Sequence, residues 1–209
     1  MSYFYSMKNI YLDNAATTAL RPEVIEKMTE VLHNNYGNAS STHSFGRSAK
    51  SIMEQCRKNI ASYLNVSPAE IIFTSGGTEA DNLALRSTVR DLGVNEIITS
   101  KVEHHAVLHT AIQLQTEYDI KVSYVQLDEN GTVDYNHLET LLKSDTKKLV
   151  SLMHINNEIG NILDIKRVGD LCKANNALFH TDTVQSVGHY HLDLQNINID
   201  FLAASAHKF

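Results

Sequence analysis

Short apolar segments alternate with amphipathic helical segments along most of this chain of 209 residues. The helical segments carry apolar residues at helical spacing, as Val24, Met28 and Leu32 do in the first of them. Strands separated by helices are typical of βαβ units, so we predict an α/β fold with a largely parallel sheet between two layers of helices. The predicted strands are 71–73, 96–99, 121–127, 149–153, 177–180 and 199–204, and the predicted helices are 21–35, 46–64, 79–90, 104–117, 135–143 and 164–175.

Composition and charge exclude several classes of protein. The net charge of −6 argues against a dedicated nucleic-acid binder, which normally carries a clustered basic surface. No apolar run approaches the roughly 18 residues that a membrane span needs, and the first residues do not form a secretory signal. The two cysteines, Cys56 and Cys172, lie in helical segments as core or half-buried thiols, so we predict no disulfide and a cytoplasmic location.

Polar residues follow the predicted strands, and in an open α/β sheet this edge is where ligands bind. One polar strand end is routine, whereas several that converge predict a site. The groups are Ser75-Gly76-Gly77-Thr78, Glu103-His104, Asn156-Asn157, Asp182 with Gln185, and Ser205 with His207 and Lys208.

Two charged residues of this set have alternative interpretations. Lys208 follows an apolar segment, where it is either a Schiff-base lysine or a strand-end lysine that reaches solvent. Asp182 is either a carboxylate that keeps a pyridinium nitrogen protonated or the N-cap of a following turn. The first reading of each residue fits pyridoxal phosphate chemistry.

The neutral groups of the set are equally open when each is taken alone. The Gly76-Gly77 loop either presents amide groups to a phosphate or forms a plain tight turn with Thr78 as a cap. His104 either stacks on a cofactor ring or lies at the surface, and Asn157 and Gln185 either bind a phenolic oxygen or are ordinary loop amides. The adjacent His104 and His105, and the pair His189 and His191, lack zinc-like partners, so we predict no metal site.

Seven motifs in order give this chain a specific resemblance. Together they resemble the cysteine desulfurases, the NifS/IscS-like group among the relatives of class V aminotransferases, over residues 8–209. The motifs are Tyr11 to Thr18, Asn35 to Ser41 with His43 and Phe45-Gly46, Phe73 to Asn82, Glu103-His104, Met153 to Gly160, His180 to Ser186, and Ser205 to Phe209.

The resemblance implies a fold-type-I, pyridoxal-phosphate-dependent enzyme that works as a homodimer. It implies that Lys208 binds the cofactor covalently and moves protons, that Asp182 pairs with the ring nitrogen, and that His104 stacks on the ring and acts as an acid or base. It implies that Asn157 and Gln185 contact the oxygen side of the ring. It also implies that the phosphate is bound by Gly77, Thr78, Ser205 and His207.

The implied reaction converts L-cysteine to L-alanine and transfers sulfur to an enzyme cysteine as a persulfide. A sulfur acceptor such as an iron–sulfur scaffold would follow, for iron–sulfur, thio-cofactor or tRNA synthesis. The alternatives are a selenocysteine lyase, another class V enzyme of this cofactor, or a non-catalytic fragment. No membrane or direct nucleic-acid partner is expected.

The resemblance also bears on the extent of the chain. The chain stops at Phe209, soon after the apolar segment 201–204, which we predict to be a buried strand. Chain ends are usually exposed and seldom follow a buried strand so closely. We therefore expect an N-terminal arm over residues 1–20 and the front part of a cofactor-binding large domain over 21–209. In that family the persulfide cysteine, the substrate-binding arginine and a small C-terminal domain come later, so we expect these residues alone to be inactive.

Overall fold

The computed structural model describes residues 9–209 and contains a five-stranded, fully parallel sheet. The strand order is β2-β1-β3-β4-β5, with helices on both faces, so the predicted α/β class is confirmed. The first eight residues of the predicted N-terminal arm lie outside the described residues. The strands are β1 Glu96–Thr99, β2 Lys121–Tyr124, β3 Lys148–Ser151, β4 Leu178–Asp182 and β5 Phe201–Ala203.

The helices fall close to the segments predicted from apolar spacing. Helix α3 starts at a glycine without a side-chain cap, whereas α4 starts behind a histidine cap. Two short 3-10 turns add to the six helices of the described chain, over Pro68–Glu70 and Ala206–Lys208. The helices are α1 Pro22–Asn34, α2 Ser44–Leu64, α3 Gly77–Arg90, α4 His105–Tyr118, α5 Tyr135–Leu142 and α6 Ile165–Ala174.

The central strands β1 and β3 are buried along their whole length, and each has an apolar pair at its centre between polar end residues. Successive side chains of a strand point to opposite faces. Ile97 and Leu149 therefore pack with the core around α3 and α4. Ile98 and Val150 pack on the other side, in the core that includes α5 and α6. Burial on both sides holds the carboxyl ends of β1, β3 and β4 at one edge.

Three expectations need correction. Residues 71–73 do not form a strand of the sheet, because no described strand pairs with them, and Ile72 and Phe73 are exposed. Strand β4 continues through Asp182, which is therefore the last residue of the strand rather than a residue after it. Cys56 is exposed, not core or half-buried, whereas Cys172 is buried as expected. The exposed face of α2 lacks a covering element among residues 9–209.

No helix within the described part of the chain combines the length and apolar character needed to cross a membrane.

Candidate functional site

The start of helix α3 lies against the turn that follows β4. A Cβ atom on Gly77 would come within 2.7 Å of Val184 Cγ2 and 3.6 Å of the Ser205 Cβ, so only glycine allows this approach. The residue before it, Gly76, is the N-cap and provides no side-chain acceptor. The amide groups of Gly77 and Thr78 meet no hydrogen-bond acceptor among residues 9–209. Free amides at a helix start form a natural anion site.

An acidic side chain occupies part of the same turn. The Glu79 carboxylate accepts a hydrogen bond from the Ser75 amide at 2.5 Å, and this bond lowers the pKa of Glu79. Glu79 is exposed, so its charge is screened by solvent. Its bond satisfies Ser75 and leaves the two amides of the first helical turn available.

Asp182 is a buried carboxyl with one oxygen still without a hydrogen bond. Its Oδ1 accepts a hydrogen bond from the Val184 amide at 2.9 Å, and its Oδ2 accepts none from the described residues. The pKa of Asp182 is raised to about 6, mainly by burial and then by the charge of Asp81. The Val184 amide and the charges of His180 and Lys208 act in the opposite direction. Asp182 is therefore a mostly ionised carboxylate at neutral pH that can accept a hydrogen bond from a cation.

Lys208 and Gln185 meet at one backbone atom. The Lys208 ammonium donates a hydrogen bond to the carbonyl of Ala15, and Gln185 Nε2 donates to the same carbonyl at 2.9 Å. Lys208 is half-buried and follows β5, whereas Gln185 follows β4. The structure thus brings these two predicted residues together through the N-terminal segment, a contact that spacing along the chain does not reveal.

The same N-terminal segment holds the turn that contains His207. The His207 carbonyl accepts hydrogen bonds from the Thr17 hydroxyl at 3.2 Å and from the Thr18 amide at 3.0 Å. Its imidazole Nδ1 lies 3.2 Å from the Thr17 hydroxyl oxygen. His207 is exposed, so its ring is accessible to a ligand at this edge.

His104 lies apart from this group. It is the N-cap of α4, where its Nδ1 accepts a hydrogen bond from the Ala106 amide at 3.1 Å. The ring is exposed and bonds to no other predicted site residue in the described chain. A role in stacking and proton transfer remains a prediction.

Asn157 is also unconnected to the rest of the site. Its amide donates a hydrogen bond to Glu158 at 2.8 Å. Its neighbour Asn156 is the buried amide of this loop, and it donates to the Val102 carbonyl at 2.7 Å. Sequence reasoning named Asn157 for ligand binding, whereas the structural link between the two loops belongs to Asn156.

Glu103 is a buried acid whose role was not predicted from the sequence. Its carboxyl is 2.7 Å from the Ser100 hydroxyl and accepts a hydrogen bond from the Met153 amide at 2.8 Å, so it joins the loop after β1 to the loop after β3. Burial raises the pKa of Glu103 to about 8, with further contributions from the charges of Asp182 and Asp81. The sequence signals for Glu103 were its place after a predicted strand and beside His104, and a solvent-facing glutamate would give the same signals.

We expect Glu103→Gln to remove a pH-dependent loss of stability. Between its ordinary value of 4.5 and about 8, Glu103 stays protonated when folded but ionises when unfolded. The folded state binds more protons, so the free energy of unfolding falls as pH rises through this window, by up to about 1.4 kcal/mol per pH unit. A glutamine amide can make the hydrogen bonds of the protonated acid without ionising. Urea unfolding of the whole protein at pH 5, 6, 7 and 8 measures the difference.

The matched control is Glu158→Gln, which changes an exposed glutamate at the same edge of the sheet. Its stability profile should follow that of the wild type. Parallel profiles for the wild type and Glu103→Gln would show that Glu103 is ionised in the folded protein.

The chain matches the aminotransferase class V family over residues 10–209. It is 46% identical over 205 residues to a cysteine desulfurase IscS of Clostridium botulinum (strain Kyoto / Type A2), covering 97% of this chain and 51% of that protein. It is 44% identical to a putative cysteine desulfurase IscS 1 of Bacillus subtilis (strain 168), covering 97% and 53%. The chain thus spans about half the length of the curated relatives it matches.

Solved structures agree with these sequence matches. A NifS-like protein superposes with a TM-score of 0.89 at 38% identity, covering 97% of this chain and 56% of that one. A structure described as SspA in complex with cysteine superposes with a TM-score of 0.88 at 32% identity, covering 95% and 57%. The described chain therefore has the fold of the corresponding part of these proteins.

Proposed function

We propose, since the chain belongs to the aminotransferase class V family, that the whole protein is a pyridoxal-phosphate-dependent cysteine desulfurase. The observation that carries the proposal is the meeting of Lys208 and Gln185 at the Ala15 carbonyl, near the buried carboxyl of Asp182. An amine, an amide and a buried carboxylate match the aldehyde, the phenolic oxygen and the ring nitrogen of pyridoxal phosphate.

The start of α3 supports a phosphate site. Gly77 and Thr78 offer amides that have no acceptor among residues 9–209, and Ser205 lies beside Gly77. His207 adds an exposed imidazole on the next turn. Amide, hydroxyl and imidazole donors suit a phosphate, and the helix dipole favours its charge. We therefore propose these four residues as ligands of the cofactor phosphate.

The state of Asp182 supports a site for a protonated ring nitrogen. Its Oδ2 accepts no hydrogen bond from the described residues, although the side chain is only 6% exposed. That oxygen is therefore available to a ligand, and a pyridinium N–H would supply both a hydrogen bond and an opposite charge. Asp182 would then hold that nitrogen in its protonated form.

Pyridoxal phosphate supplies an electron sink that stabilises negative charge at the α-carbon of a bound amino acid. Lys208 must give up a proton before its nitrogen becomes a nucleophile, and the Ala15 carbonyl holds that nitrogen in place. Lys208 would then take the α-proton and return it, since its amine lies near Gln185 and Asp182. Gln185 would donate a hydrogen bond to the phenolic oxygen, with Asn157 as a second donor. His104 would stack on the ring and act as an acid or base.

The overall reaction consumes L-cysteine and an enzyme thiol and gives L-alanine and an enzyme persulfide. The carbon–sulfur bond breaks, a sulfur–sulfur bond forms, and the proton count is unchanged. Burial raises the pKa of the Cys172 thiol to about 12, so we do not assign it this role. Cys56 lies on α2, which contributes no residue to the site. We place the reacting thiol elsewhere in the whole protein.

The names of the relatives support this substrate. One is named a cysteine desulfurase and another a putative cysteine desulfurase, and one structural neighbour was solved in complex with cysteine. By analogy we propose a cytoplasmic homodimer that passes sulfur to an acceptor protein such as an iron–sulfur scaffold. Iron–sulfur cluster, thio-cofactor and tRNA synthesis are the pathways that would use it.

Alanine formation tests the proposed function. The purified whole protein, loaded with pyridoxal phosphate, is incubated with L-cysteine and a thiol reductant, and alanine and sulfide are measured over time. We expect both products in equal amounts over many turnovers, and none from L-serine. Turnover of L-selenocysteine without turnover of L-cysteine would instead identify a selenocysteine lyase.

A further inference from the structure

Three fully buried polar side chains form a network beside Asp182. The Ser151 hydroxyl lies 2.8 Å from His180 Nδ1, and His180 Nε2 lies 3.3 Å from Asp81 Oδ1. Each of the three residues is at most 1% exposed. The last pair is at ion-pair distance, yet neither atom makes an aligned hydrogen bond within the described chain. Burial of such groups is costly unless their polar atoms are paired.

Three elements of the fold bring this network to the site. His180 and Asp182 are two residues apart on β4, so their side chains lie on the same face of the sheet. Ser151 is paired with His180 across β3 and β4. Asp81 comes from α3, which packs on β4. Neither His180 nor Asp81 is one of the proposed cofactor ligands.

The carboxylates of Asp81 and Asp182 repel each other, and a positive charge on His180 would offset this repulsion. Asp81 and Asp182 are both buried acids, and the charge of each carboxylate disfavours that of the other. Glu103 on the loop after β1 faces the same cluster, and with its pKa raised to about 8 it is mostly protonated at neutral pH. Lys208 provides a cation, but one that the proposed function removes when its amine reacts. His180 is then the remaining group among these that can carry a positive charge.

We propose that His180, held by Ser151 and Asp81, is a positioning residue that carries a proton and keeps the Asp182 carboxylate ionised. The His180 Nδ1–H would donate to the Ser151 hydroxyl, and its Nε2–H would face Asp81. The imidazolium offsets one of the two buried carboxylate charges. The part of this inference that concerns the ring nitrogen rests on the proposed function; the part that concerns Asp182 does not.

A rescue experiment in the cofactor-free whole protein tests the charge effect. The protein is labelled with carboxyl-¹³C aspartate, the Asp182 resonance is assigned by its absence in Asp182→Asn, and its pH titration is followed by NMR. In His180→Gln we expect the titration midpoint to rise by about one pH unit or more, because the two buried carboxylates then face each other without the imidazolium, while the Lys208 ammonium is present in both the wild type and the variant. Adding Asp81→Asn should return the midpoint to the wild-type value or below it.

The rescue separates an electrostatic role from a structural one. A second substitution in a merely structural network would add damage rather than reverse the shift. The matched control is Asp200→Asn in the His180→Gln background: Asp200 is an exposed acid that bonds to the other end of β4 through the Phe179 amide, and its loss should not restore the midpoint. An unchanged midpoint in His180→Gln, or a shift that Asp81→Asn does not reverse, overturns the proposal. If His180→Gln does not fold, an Asp182 midpoint that rises in Asp81→Asn alone overturns it.

A second measurement, of the protonation of the cofactor ring nitrogen, tests whether the network acts on the cofactor. With ¹⁵N-labelled pyridoxal phosphate bound, the ring nitrogen should show the protonated chemical shift in the wild type and a larger unprotonated fraction in His180→Gln. If the Asp182 midpoint moves as expected but the cofactor does not bind, the proposed function fails and the charge effect stands. If the cofactor binds through Lys208 and the Asp182 midpoint does not move, the charge effect fails and the proposed function stands.

Discussion

Replacing Lys208 with alanine should abolish the borohydride-stable link between pyridoxal phosphate and the whole protein. The Lys208 nitrogen is held by the Ala15 carbonyl near Asp182 and Gln185, and alanine leaves no amine at that position. We expect alanine formation from L-cysteine to fall by about 10⁴-fold or more, since one residue provides both the covalent attachment and the proton transfer. Mass spectrometry of borohydride-reduced, digested protein locates the link, and the alanine assay measures the rate.

Lys101→Ala is the matched control for this substitution. Lys101 is an exposed lysine that follows β1 at the same edge of the sheet, so it is a plausible amine for adventitious attachment. The variant should keep both the link and the activity. Recovery of the cofactor on Lys101 or any lysine other than Lys208 in the wild type would refute the assignment.

Asp182→Asn should lower alanine formation by about 10- to 1,000-fold while the protein still binds the cofactor. Asparagine can keep the hydrogen bond from the Val184 amide and nearly the same volume, but it carries no negative charge. An opposite charge in contact raises the pKa of a ring nitrogen by about 1–3 units, and its loss leaves the ring a weaker electron sink. The rate of alanine formation and the ¹⁵N chemical shift of the bound cofactor measure the two effects.

Asp200→Asn serves as the comparison here too, because it removes an aspartate charge near β4 without changing the site edge. Its rate and its ring-nitrogen shift should match the wild type. A ring nitrogen that stays protonated in Asp182→Asn would mean that another acid holds it, and Asp182 would lose its proposed role.

The sheet could be predicted because its elements are short and strongly patterned. Residues 96–99 and 149–151 are apolar or buried on both faces, and the helices between strands repeat their apolar positions every three to four residues. Residues 71–73 show the limit of this reasoning. They have the same apolar character, but a strand also needs a neighbour, and no described strand pairs with them.

The site was predictable only as a set of residue types at one edge. Asp182, Lys208 and Gln185 were named from their position after apolar segments, and the structure brings these three together. His104 and Asn157 were named by the same logic, yet they bond only to their own loops. A strand end predicts the edge at which a side chain lies but not the direction in which it points.

Apart from residues 71–73, the alternation of strands and helices, the parallel sheet and the set of polar residues at its edge were determined by the sequence itself. Apolar periodicity and strand-end position are local properties, and they can be read along the chain. Only the tertiary structure decided that Ala15 joins Lys208 to Gln185, that Glu103 is buried, and that Asp81 meets His180. These contacts link residues far apart in the chain, and burial sets the charge of the acids among them. Their chemistry therefore depends on which groups the fold removes from water together.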